Sequence, residues 1–204
     1  MAMKVENLAV ARGGVLVLEG INFQLDKGQS LILRGPNGSG KTTLLRTLAN
    51  LQHSTDGDVI CDPDSIAYAS HSDGLKQMLT VRENLEFWAS VFASGNIDKA
   101  IDAFFLEPLL SRMAGALSAG QKRRLGLARL LVTDRPIWIL DEPTVSLDTH
   151  AVARFGDTIK AHLDDGGSAL IATHIDLGIA ASILDVAPFK AKPKRLPTLD
   201  EAFL

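Results

Sequence analysis

The chain has few of the residues that would place it among disulfide-stabilised, membrane-spanning or nucleic-acid-binding proteins. It has one cysteine, Cys61, in 204 residues, so no internal disulfide can form and a reducing compartment is expected. No apolar run approaches the length of a bilayer span, and Met1 to Lys4 lead into polar residues without the apolar core of a secretory signal. The formal net charge of −3 gives no broad attraction to nucleic acid, which is therefore not an expected partner.

The composition is that of an ordinary globular protein. Hydrophobic residues make up 46 % and charged residues 22 % of the chain. Together with the length, these fractions favour one α/β domain, with room for an inserted lobe, over a disordered chain. No cluster of Cys and His has the spacing of a metal site.

One glycine-rich stretch fits the pattern of a phosphate-binding loop. Its residues are Gly35, Pro36, Asn37, Gly38, Ser39, Gly40, Lys41, Thr42 and Thr43. The glycines let backbone N–H groups surround a polyphosphate, Lys41 can reach the β- and γ-phosphates of ATP, and the Thr42 hydroxyl can ligate Mg²⁺. A buried strand at 30–33 precedes the loop and leucines at helical spacing follow it. This context favours a phosphate loop over a chance glycine-rich turn.

Apolar clusters and alternation predict several strands around this loop. The predicted strands are 4–10, 21–25, 58–61, 66–69, 136–140 and 169–172. The strand at 66–69 is apolar throughout, which predicts a central place in the sheet. The strand at 169–172 is the last buried strand expected, and the tail that contains Pro188, Pro193 and Pro197 is too polar and rich in proline to form a core.

Between 72 and 117 the pattern changes from strands to helices. Thr80 and Glu83 have the spacing of a capping box, and the apolar face continues from Val81. Another helical stretch is expected at about 101–110. The predicted organisation is a single domain, 1–204, with an α/β core at 1–71 and 118–190, a helical subdomain at about 72–117 and a tail at 191–204.

A second capping box begins the next predicted helix, at Ser118 and Gln121. Three cations, Lys122, Arg123 and Arg124, occupy its first turn, where the helix dipole disfavours positive charge. An anion bound at this N-terminus would relieve the conflict. A solvated basic turn is the simpler alternative.

Acidic residues and a histidine follow the predicted strands of the second half. Asp141 and Glu142 come at the C-terminal end of the strand at 136–140, the edge of a parallel sheet where ligands bind. Asp148 is expected to cap the following helix, and His174 ends the strand at 169–172. Three other histidines have no partners at ligand spacing and are expected to face solvent: His53, His150 and His162.

Five motifs, in this order and at these separations, resemble the nucleotide-binding subunits of ABC transporters across nearly the whole chain. They are the phosphate loop at 35–43, the pentapeptide at 117–121, and the stretches 137–143, 146–148 and 173–174. The resemblance implies an α/β fold with a P-loop NTPase core. Its mixed, mainly parallel sheet would have flanking helices and an antiparallel β subdomain, with the helical subdomain inserted.

The resemblance also implies a role for each motif in hydrolysing ATP. Asp141 and Thr42 would hold Mg²⁺, Glu142 would act as general base on water, and His174 would hydrogen-bond the γ-phosphate. A surface carboxylate at 142 and a satisfied strand-end imidazole at 174 are the simpler alternatives. At this stage both remain open.

The remaining motifs would serve a second copy of the chain. The resemblance implies that Ser118, Gly120 and Gln121 contact the γ-phosphate of ATP bound to the other copy, and that Ser146 and Asp148 link the two sites. Two chains would then form a head-to-tail dimer with two ATP molecules between them.

The chain departs from the family pattern at three positions. His71 stands where many relatives have a glutamine that ligates Mg²⁺, so either a metal or water ligand or a contact to a membrane partner is expected there. Arg12 stands where an aromatic residue usually stacks on adenine, and a guanidinium can stack on a base as well. Ala119 replaces a glycine of the pentapeptide.

The block at 71–76, with 79–80 and 83–85, is similar to one subgroup, the ATP-binding subunits of the haem exporter of bacterial cytochrome c maturation. That resemblance implies a peripheral protein on the cytoplasmic face of the bacterial inner membrane, bound to integral membrane ABC subunits. Alternatives are another small ABC exporter, a soluble ABC ATPase of an iron–sulfur assembly scaffold, an ATPase of a DNA clamp and a small-molecule kinase. The missing coiled-coil heptads count against the clamp, and the pentapeptide counts against the kinase.

Overall fold

The strands form two separate sheets, with helices on both faces of the larger one. The computed structural model describes residues 1–94 and 97–192. The strands are β1 (Met3–Arg12), β2 (Val15–Leu25), β3 (Ser30–Arg34), β4 (Asp56–Ile60), β5 (Ile66–Ala69), β6 (Ile137–Asp141), β7 (Ser168–Ala172) and β8 (Ser182–Asp185). The helices are α1 (Lys41–Leu48), α2 (Val81–Val91), α3 (Asp98–Ala103), α4 (Ala119–Val132) and α5 (Thr149–Asp164).

The larger sheet has the strand order β5-β6-β7-β3-β8, and every pairing in it is parallel. Side chains alternate between its faces, as strand geometry requires. In β6, Ile137 and Ile139 pack with α1 and the smaller sheet, whereas Trp138 and Leu140 pack with α4 and α5. Because both faces are covered, the central strands β3, β6 and β7 are apolar except at their ends.

The smaller sheet is antiparallel, in the order β2-β1-β4. Gly13 and Gly14 join β1 to β2, and both have positive φ angles, 57° and 80°. Buried residues of β1 and β2 share a core with α1 and one face of the parallel sheet. The predicted fold class, an α/β P-loop core with an antiparallel β subdomain, is confirmed.

Helices α2 and α3 pack against α4, on the face of the parallel sheet opposite α1. Thr80 and Glu83 form the predicted capping box, with the Thr80 N–H donating to Glu83 at 2.7 Å and the Glu83 N–H donating to Thr80 Oγ1 at 3.2 Å. The helix expected at about 101–110 is wrong in its bounds. Instead α3 ends at Ala103, Phe105 has a positive φ of 51°, and a 3₁₀ turn follows at Glu107–Leu109.

One strand prediction is wrong, and one strand was not predicted. The strand β5 is apolar but lies at the edge of the sheet, not at its centre, because the β4 strand that precedes it joins the other sheet. Arginine side chains bind carbonyls of this edge strand, Arg129 at Tyr68 (3.0 Å) and Arg135 at Ile66 (2.6 Å). The chain also forms a further strand after β7, since β8 pairs with β3 on the opposite edge.

The end of the described chain returns to the smaller sheet. The Ala191 N–H donates to the Val17 carbonyl at 3.0 Å. The backbones of Lys190 and Leu18 form an isolated antiparallel β-bridge. Most of the predicted tail, 193–204, lies outside the described residues. Among the helices described, none has the length and apolarity needed to cross a bilayer.

Candidate functional site

The glycine-rich loop connects β3 to α1, as its sequence context predicts. Lys41 is the first residue of α1 and only 8 % of its surface is exposed. Its Nζ donates to the carbonyls of Gly35 at 2.7 Å and Pro36 at 3.2 Å. The ammonium therefore lies across the loop, next to a helix N-terminus, and such a terminus favours anions in general.

Gly40 is required by its surroundings as well as by its backbone angle. Its φ is +100°, and a Cβ added there would lie 2.7 Å from Val17 Cγ1 and 3.0 Å from Leu18 Cγ. The loop thus packs directly on β2. A side chain at position 40 would push the loop away from the smaller sheet.

A cavity of about 330 Å³ brings half of the predicted nucleotide-binding residues together with the two predicted carboxylates. Its lining comprises Arg12, Val17, Asn37, Gly38, Gly40, Lys41, Thr42, Thr43, Asp141 and Glu142. Arg12 reaches the cavity from the end of β1, and the two carboxylates reach it from the end of β6. The predicted phosphate loop, base-stacking residue and acidic pair therefore border one space.

Asp141 is buried, with 4 % of its surface exposed, and its Oδ2 has no hydrogen-bond partner among the described residues. Tyr68 lies near this carboxyl on the neighbouring strand. Burial, with the Asp141 charge as the second cause, raises the pKa of Tyr68 to about 12, so the phenol is neutral at physiological pH. A buried carboxylate oxygen without a donor is poised to accept a cation or a water molecule.

Glu142 follows β6 with a left-handed backbone, at φ +46°. Its N–H donates to the Ala172 carbonyl at 2.9 Å, which ties the turn to the end of β7. His174 lies beside it, with Nε2 3.7 Å from Glu142 Oε1. The Arg34 guanidinium donates to the Thr173 carbonyl at 2.6 Å and so holds the chain that carries the histidine.

The second group of predicted site residues lies at the start of α4 and α5. Ser118 and Gln121 form the capping box, with donor–acceptor distances of 2.9 and 3.3 Å. Gly120 packs on the segment before α5, because a Cβ there would lie 2.9 Å from the Ser146 carbonyl oxygen. Asp148 caps α5 by accepting the Ala151 N–H at 2.7 Å. In the described part of the chain, none of these residues lines the cavity at Lys41.

The three cations lie in the first turn of α4 as predicted, but the simpler alternative, a solvated basic turn, is wrong for Arg123 and Arg124. Arg124 donates to the carbonyls of Phe104 and Phe105 at 3.1 and 3.3 Å. Arg123 is only 3 % exposed and donates to the Glu142 and Pro143 carbonyls. Both guanidiniums donate to protein carbonyls, and the charge of Arg123 is also paired with Asp73 at 3.0 Å.

Sequence reasoning missed the contact between Arg123 and the backbone of Glu142. The helical spacing of Arg123, Leu127 and Leu130 could have indicated that Arg123 lies on a buried face, but no local pattern indicates its partner. These three residues form a second buried face of α4, beside the predicted face that carries Leu125 and Ala128.

The predicted solvent exposure is wrong for His162, which stacks on Trp138 with ring centroids 3.8 Å apart and planes at 8°. Its Nε2 lies 3.2 Å from the Pro136 carbonyl oxygen, and burial lowers the pKa of this histidine. His53 and His150 are exposed, as predicted. His71 is exposed as well and does not line the cavity at Lys41.

Comparison with known proteins agrees with this geometry. The family model of ABC transporters matches residues 18–145. A relative from Ruegeria pomeroyi, named cytochrome c biogenesis ATP-binding export protein CcmA, is 63 % identical over the full length of both chains. A relative of the same name from Cereibacter sphaeroides is 57 % identical and covers all of this chain and 98 % of its own.

Solved structures agree at the level of the fold. An ABC transporter ATP-binding protein from Pyrococcus furiosus is similar with a TM-score of 0.82 at 25 % identity, covering 93 % of this chain and 99 % of its own. An ATP-binding cassette described as a dimer bound to ADP and phosphate matches with a TM-score of 0.80 at 24 % identity, covering 90 % and 94 % of the two chains.

The full-length identity to these relatives and the match to the family model agree with the fold and with the cavity at the phosphate loop. The chain therefore belongs to the ATP-binding proteins of the ABC transporter family, in the group of the CcmA proteins of cytochrome c biogenesis.

Proposed function

We propose that this protein hydrolyses ATP as the ATP-binding subunit of an ABC transporter that exports haem in bacterial cytochrome c biogenesis. The observation that carries the proposal is the convergence of Lys41, Asp141 and Glu142 on one cavity. These residues provide a cation for the phosphates, a buried carboxylate with one oxygen that has no hydrogen-bond partner among the described residues, and a second carboxylate beside a histidine.

ATP would bind with its phosphates in the loop and its base toward Arg12. The N–H groups at the start of α1 and the Lys41 ammonium would bind the β- and γ-phosphate oxygens, in place of the carbonyls that Lys41 now contacts. The Arg12 guanidinium is exposed at the mouth of the cavity, where it can stack on a planar base. Such stacking is tolerant of base identity, since it reads the face of the ring rather than its edge.

The donor set at the cavity also fits Mg²⁺, a cation that prefers oxygen ligands. Asp141 Oδ2 is buried without a hydrogen-bond donor, and Thr42 lines the same cavity. We propose these two residues as the protein ligands. When bound, the ion would neutralise charge on the β- and γ-phosphate oxygens. His71 is exposed and outside the cavity lining, which supports a contact to a partner chain more than a metal ligand.

Glu142 would accept a proton from the attacking water while the bond between the γ-phosphorus and the bridging oxygen breaks. The products are ADP and inorganic phosphate, and the proton passes from the carboxylate to solvent. His174, with Nε2 3.7 Å from Glu142 Oε1, is placed to donate a hydrogen bond to a γ-phosphate oxygen and to orient the carboxylate.

Two copies of the chain would complete the sites. Ser118 is exposed at the N-terminus of α4, and Gly120 and Gln121 form the same turn. We propose that this turn covers the γ-phosphate bound to the other copy, in a head-to-tail dimer. Asp148 and Ser146 lie next to this turn and would connect the two sites.

The group to which the chain belongs supports integral membrane subunits as its partners. Its relatives are named as export proteins, and no described helix of this chain could cross a bilayer. Integral membrane subunits would therefore provide the pathway, with this chain at the cytoplasmic face of the inner membrane. The relatives' names favour cytochrome c biogenesis over an iron–sulfur scaffold, a DNA clamp or a kinase.

A carboxylate-to-amide change tests the catalytic assignment. Glu142→Gln keeps the shape of the side chain but cannot accept the proton, so we expect the rate of phosphate release from ATP to fall about 100-fold or more. Glu107→Gln, an exposed carboxylate outside the cavity, is the matched control and is expected to keep the wild-type rate. A Glu142→Gln protein that hydrolyses ATP at the control rate would contradict the proposal.

A second experiment tests the biological assignment. The tagged protein is purified from detergent-solubilised bacterial membranes, and the co-purifying chains are identified by mass spectrometry. Recovery of integral membrane ABC subunits that stimulate its ATP hydrolysis is expected. Recovery with soluble scaffold proteins alone would support the iron–sulfur alternative instead.

A further inference from the structure

One buried guanidinium joins the start of α4 to the end of β6 and to the segment after β5. Arg123 Nε donates to the Pro143 carbonyl at 2.7 Å, and its NH2 group donates to the Glu142 carbonyl at 3.0 Å. Its NH1 group donates to the Ser70 carbonyl at 2.6 Å and to Asp73 Oδ1 at 3.0 Å. Four acceptors from two separate segments therefore converge on one side chain, of which 3 % is exposed.

The Arg123 guanidinium is buried, and its positive charge is paired with the Asp73 carboxylate at 3.0 Å. A cation this deeply buried is tolerated only when it is paired and hydrogen-bonded, and Asp73 provides the single opposing charge among its four acceptors. Asp73 in turn packs on α4, because a Cβ added at Gly126 would lie 2.8 Å from the Asp73 Cβ. The planar fork of an arginine can bind several acceptors at once, which a lysine ammonium at this position could not reproduce.

The contact matters because of the backbone that it holds. Glu142 has a φ of +46°, a region that non-glycine residues rarely adopt and that surrounding contacts must maintain. Its N–H is bound to the Ala172 carbonyl and its carbonyl is bound to Arg123. The backbone of Glu142 is thus held on both sides, by β7 and by α4, and this backbone determines where the side chain begins.

We infer that Arg123 is a positioning residue for ATP hydrolysis, which holds the Glu142 peptide in its left-handed conformation and is itself held in place by Asp73 and the Ser70 carbonyl. The inference rests on the proposed role of Glu142 as the general base. Arg123 does not line the cavity and so acts through Glu142 rather than on ATP. A substitution of Asp73 would affect the Glu142 carboxylate in the same way, through Arg123.

The test measures kcat and KM for MgATP, with nucleotide occupancy and thermal stability of each variant. Arg123→Gln keeps a donor but loses the fork, and we expect kcat to fall about 10- to 100-fold with KM changed less than about twofold. Arg123→Lys keeps the positive charge in the buried site, so a loss of activity in this variant would not be due to an unpaired Asp73 carboxylate. Its kcat is expected to fall as well, because an ammonium cannot bind all four acceptors. Asp73→Asn leaves three carbonyl contacts intact and should reduce kcat by less, about two- to fivefold.

The matched control is Arg135→Gln. Arg135 also donates to a carbonyl of the sheet edge, at Ile66 and 2.6 Å, yet it has no contact with Glu142. This variant is expected to keep the wild-type kcat even if its thermal midpoint falls. A purely structural role for Arg123 predicts that the two arginine variants behave alike.

A double variant separates positioning from structure. If Arg123 acts through Glu142, adding Arg123→Gln to Glu142→Gln should leave the small residual rate unchanged within about twofold. The inference is wrong if Arg123→Gln and Arg123→Lys both keep kcat per occupied site, or if only KM changes. Loss of rate in Glu142→Gln with no loss in the Arg123 variants overturns this inference alone, whereas a fully active Glu142→Gln overturns the proposed function as well.

Discussion

The phosphate loop and the Ser118 turn differ in how much the chain itself supplies to them. Around Lys41 the chain forms a cavity with a buried lysine, a buried carboxylate and a second acid at its edge. Ser118 begins α4 at an exposed turn outside that cavity. Both regions have N-terminal helix ends, but only the first encloses a space for a ligand.

This difference separates what one chain can do from what requires two. In the proposed function the phosphates are bound by residues of a single cavity, so their binding is expected to survive in an isolated chain. The hydrogen bonds of the capping box at the Ser118 turn are made within the chain. In the proposed function this turn acts only when the nucleotide of a second copy lies against it. Variants of the two regions should therefore fail in different ways.

The largest effect is expected at the phosphate loop. Lys41→Ala removes the cation at the β- and γ-phosphates, so the rate of ATP hydrolysis should fall about 100-fold or more, with loss of nucleotide affinity. Phosphate release and nucleotide binding measure the two effects. Lys160→Ala is the control, since that lysine is exposed in a surface ion pair with Asp157 at 3.3 Å. Equal rates for the two variants would contradict the role of the loop.

Mixing two inactive proteins sharpens the comparison. Ser118→Arg should abolish hydrolysis by blocking the turn, yet leave nucleotide binding at the loop intact. A mixture of Ser118→Arg with Lys41→Ala contains dimers in which one site has an intact loop and an intact turn. We expect such a mixture to regain part of the wild-type rate, at most about a quarter if pairing is random and each site acts alone.

The control for this mixture is each variant alone at the same total concentration. Full hydrolysis by Ser118→Arg alone would contradict the role of the turn. A mixture no more active than its components would contradict the head-to-tail arrangement.

His71 lies between the two regions in the chain, on the exposed segment after β5, and its substitution should have a smaller effect. His71→Ala is expected to leave ATP affinity within about twofold, because His71 does not line the cavity. Stimulation of hydrolysis by the membrane subunits should fall by more than that. His53→Ala, another exposed histidine, is the control. If His71→Ala loses affinity for ATP but is still stimulated by the membrane subunits, His71 acts at the nucleotide and not at the membrane partner.

The smallest effect is expected far from both regions, at the stack of His162 on Trp138. Burial lowers the pKa of His162 below its ordinary value of 6.5, so the unfolded chain binds a proton more readily than the folded one. The stability it contributes is complete above about pH 6.5 and is lost as the pH falls through the folded pKa. Thermal unfolding of His162→Gln should thus be less sensitive to acid than that of the wild type, by about 1–2 °C between pH 7.5 and 5.5.

The matched variant for this measurement is His150→Gln, since His150 is exposed. It should follow the wild-type pH dependence. If His162→Gln follows the wild type as well, the stacked histidine does not contribute to acid sensitivity.

The sequence predicts the phosphate loop and the ends of its neighbouring strands because each depends on local chemistry. A glycine-rich turn, a capping box and an apolar strand are determined by residues within a few positions of one another. The fold class followed from these local patterns and from the resemblance. The capping boxes at Thr80 and Ser118 have the geometry that their spacing predicts.

The errors concern features set by distant contacts. The strand β5 is as apolar as a central strand because helices and the other sheet cover both of its faces, although no strand lies beyond it. The strand β8 is short and mostly exposed, and its pairing with β3 makes it a strand. Arg123 and His162 are polar residues whose partners lie 19 and 26 positions away, beyond any local pattern.

The most direct test of the account is the mass of the Glu142→Gln protein in solution with and without MgATP. Light scattering after size exclusion should give 21.9 kDa without nucleotide and twice that mass with ATP, since the bound nucleotide would not be hydrolysed. Adding Ser118→Arg should return the mass to that of one chain while ATP stays bound. A protein that binds ATP and remains a single chain would contradict the claim that two copies share each site.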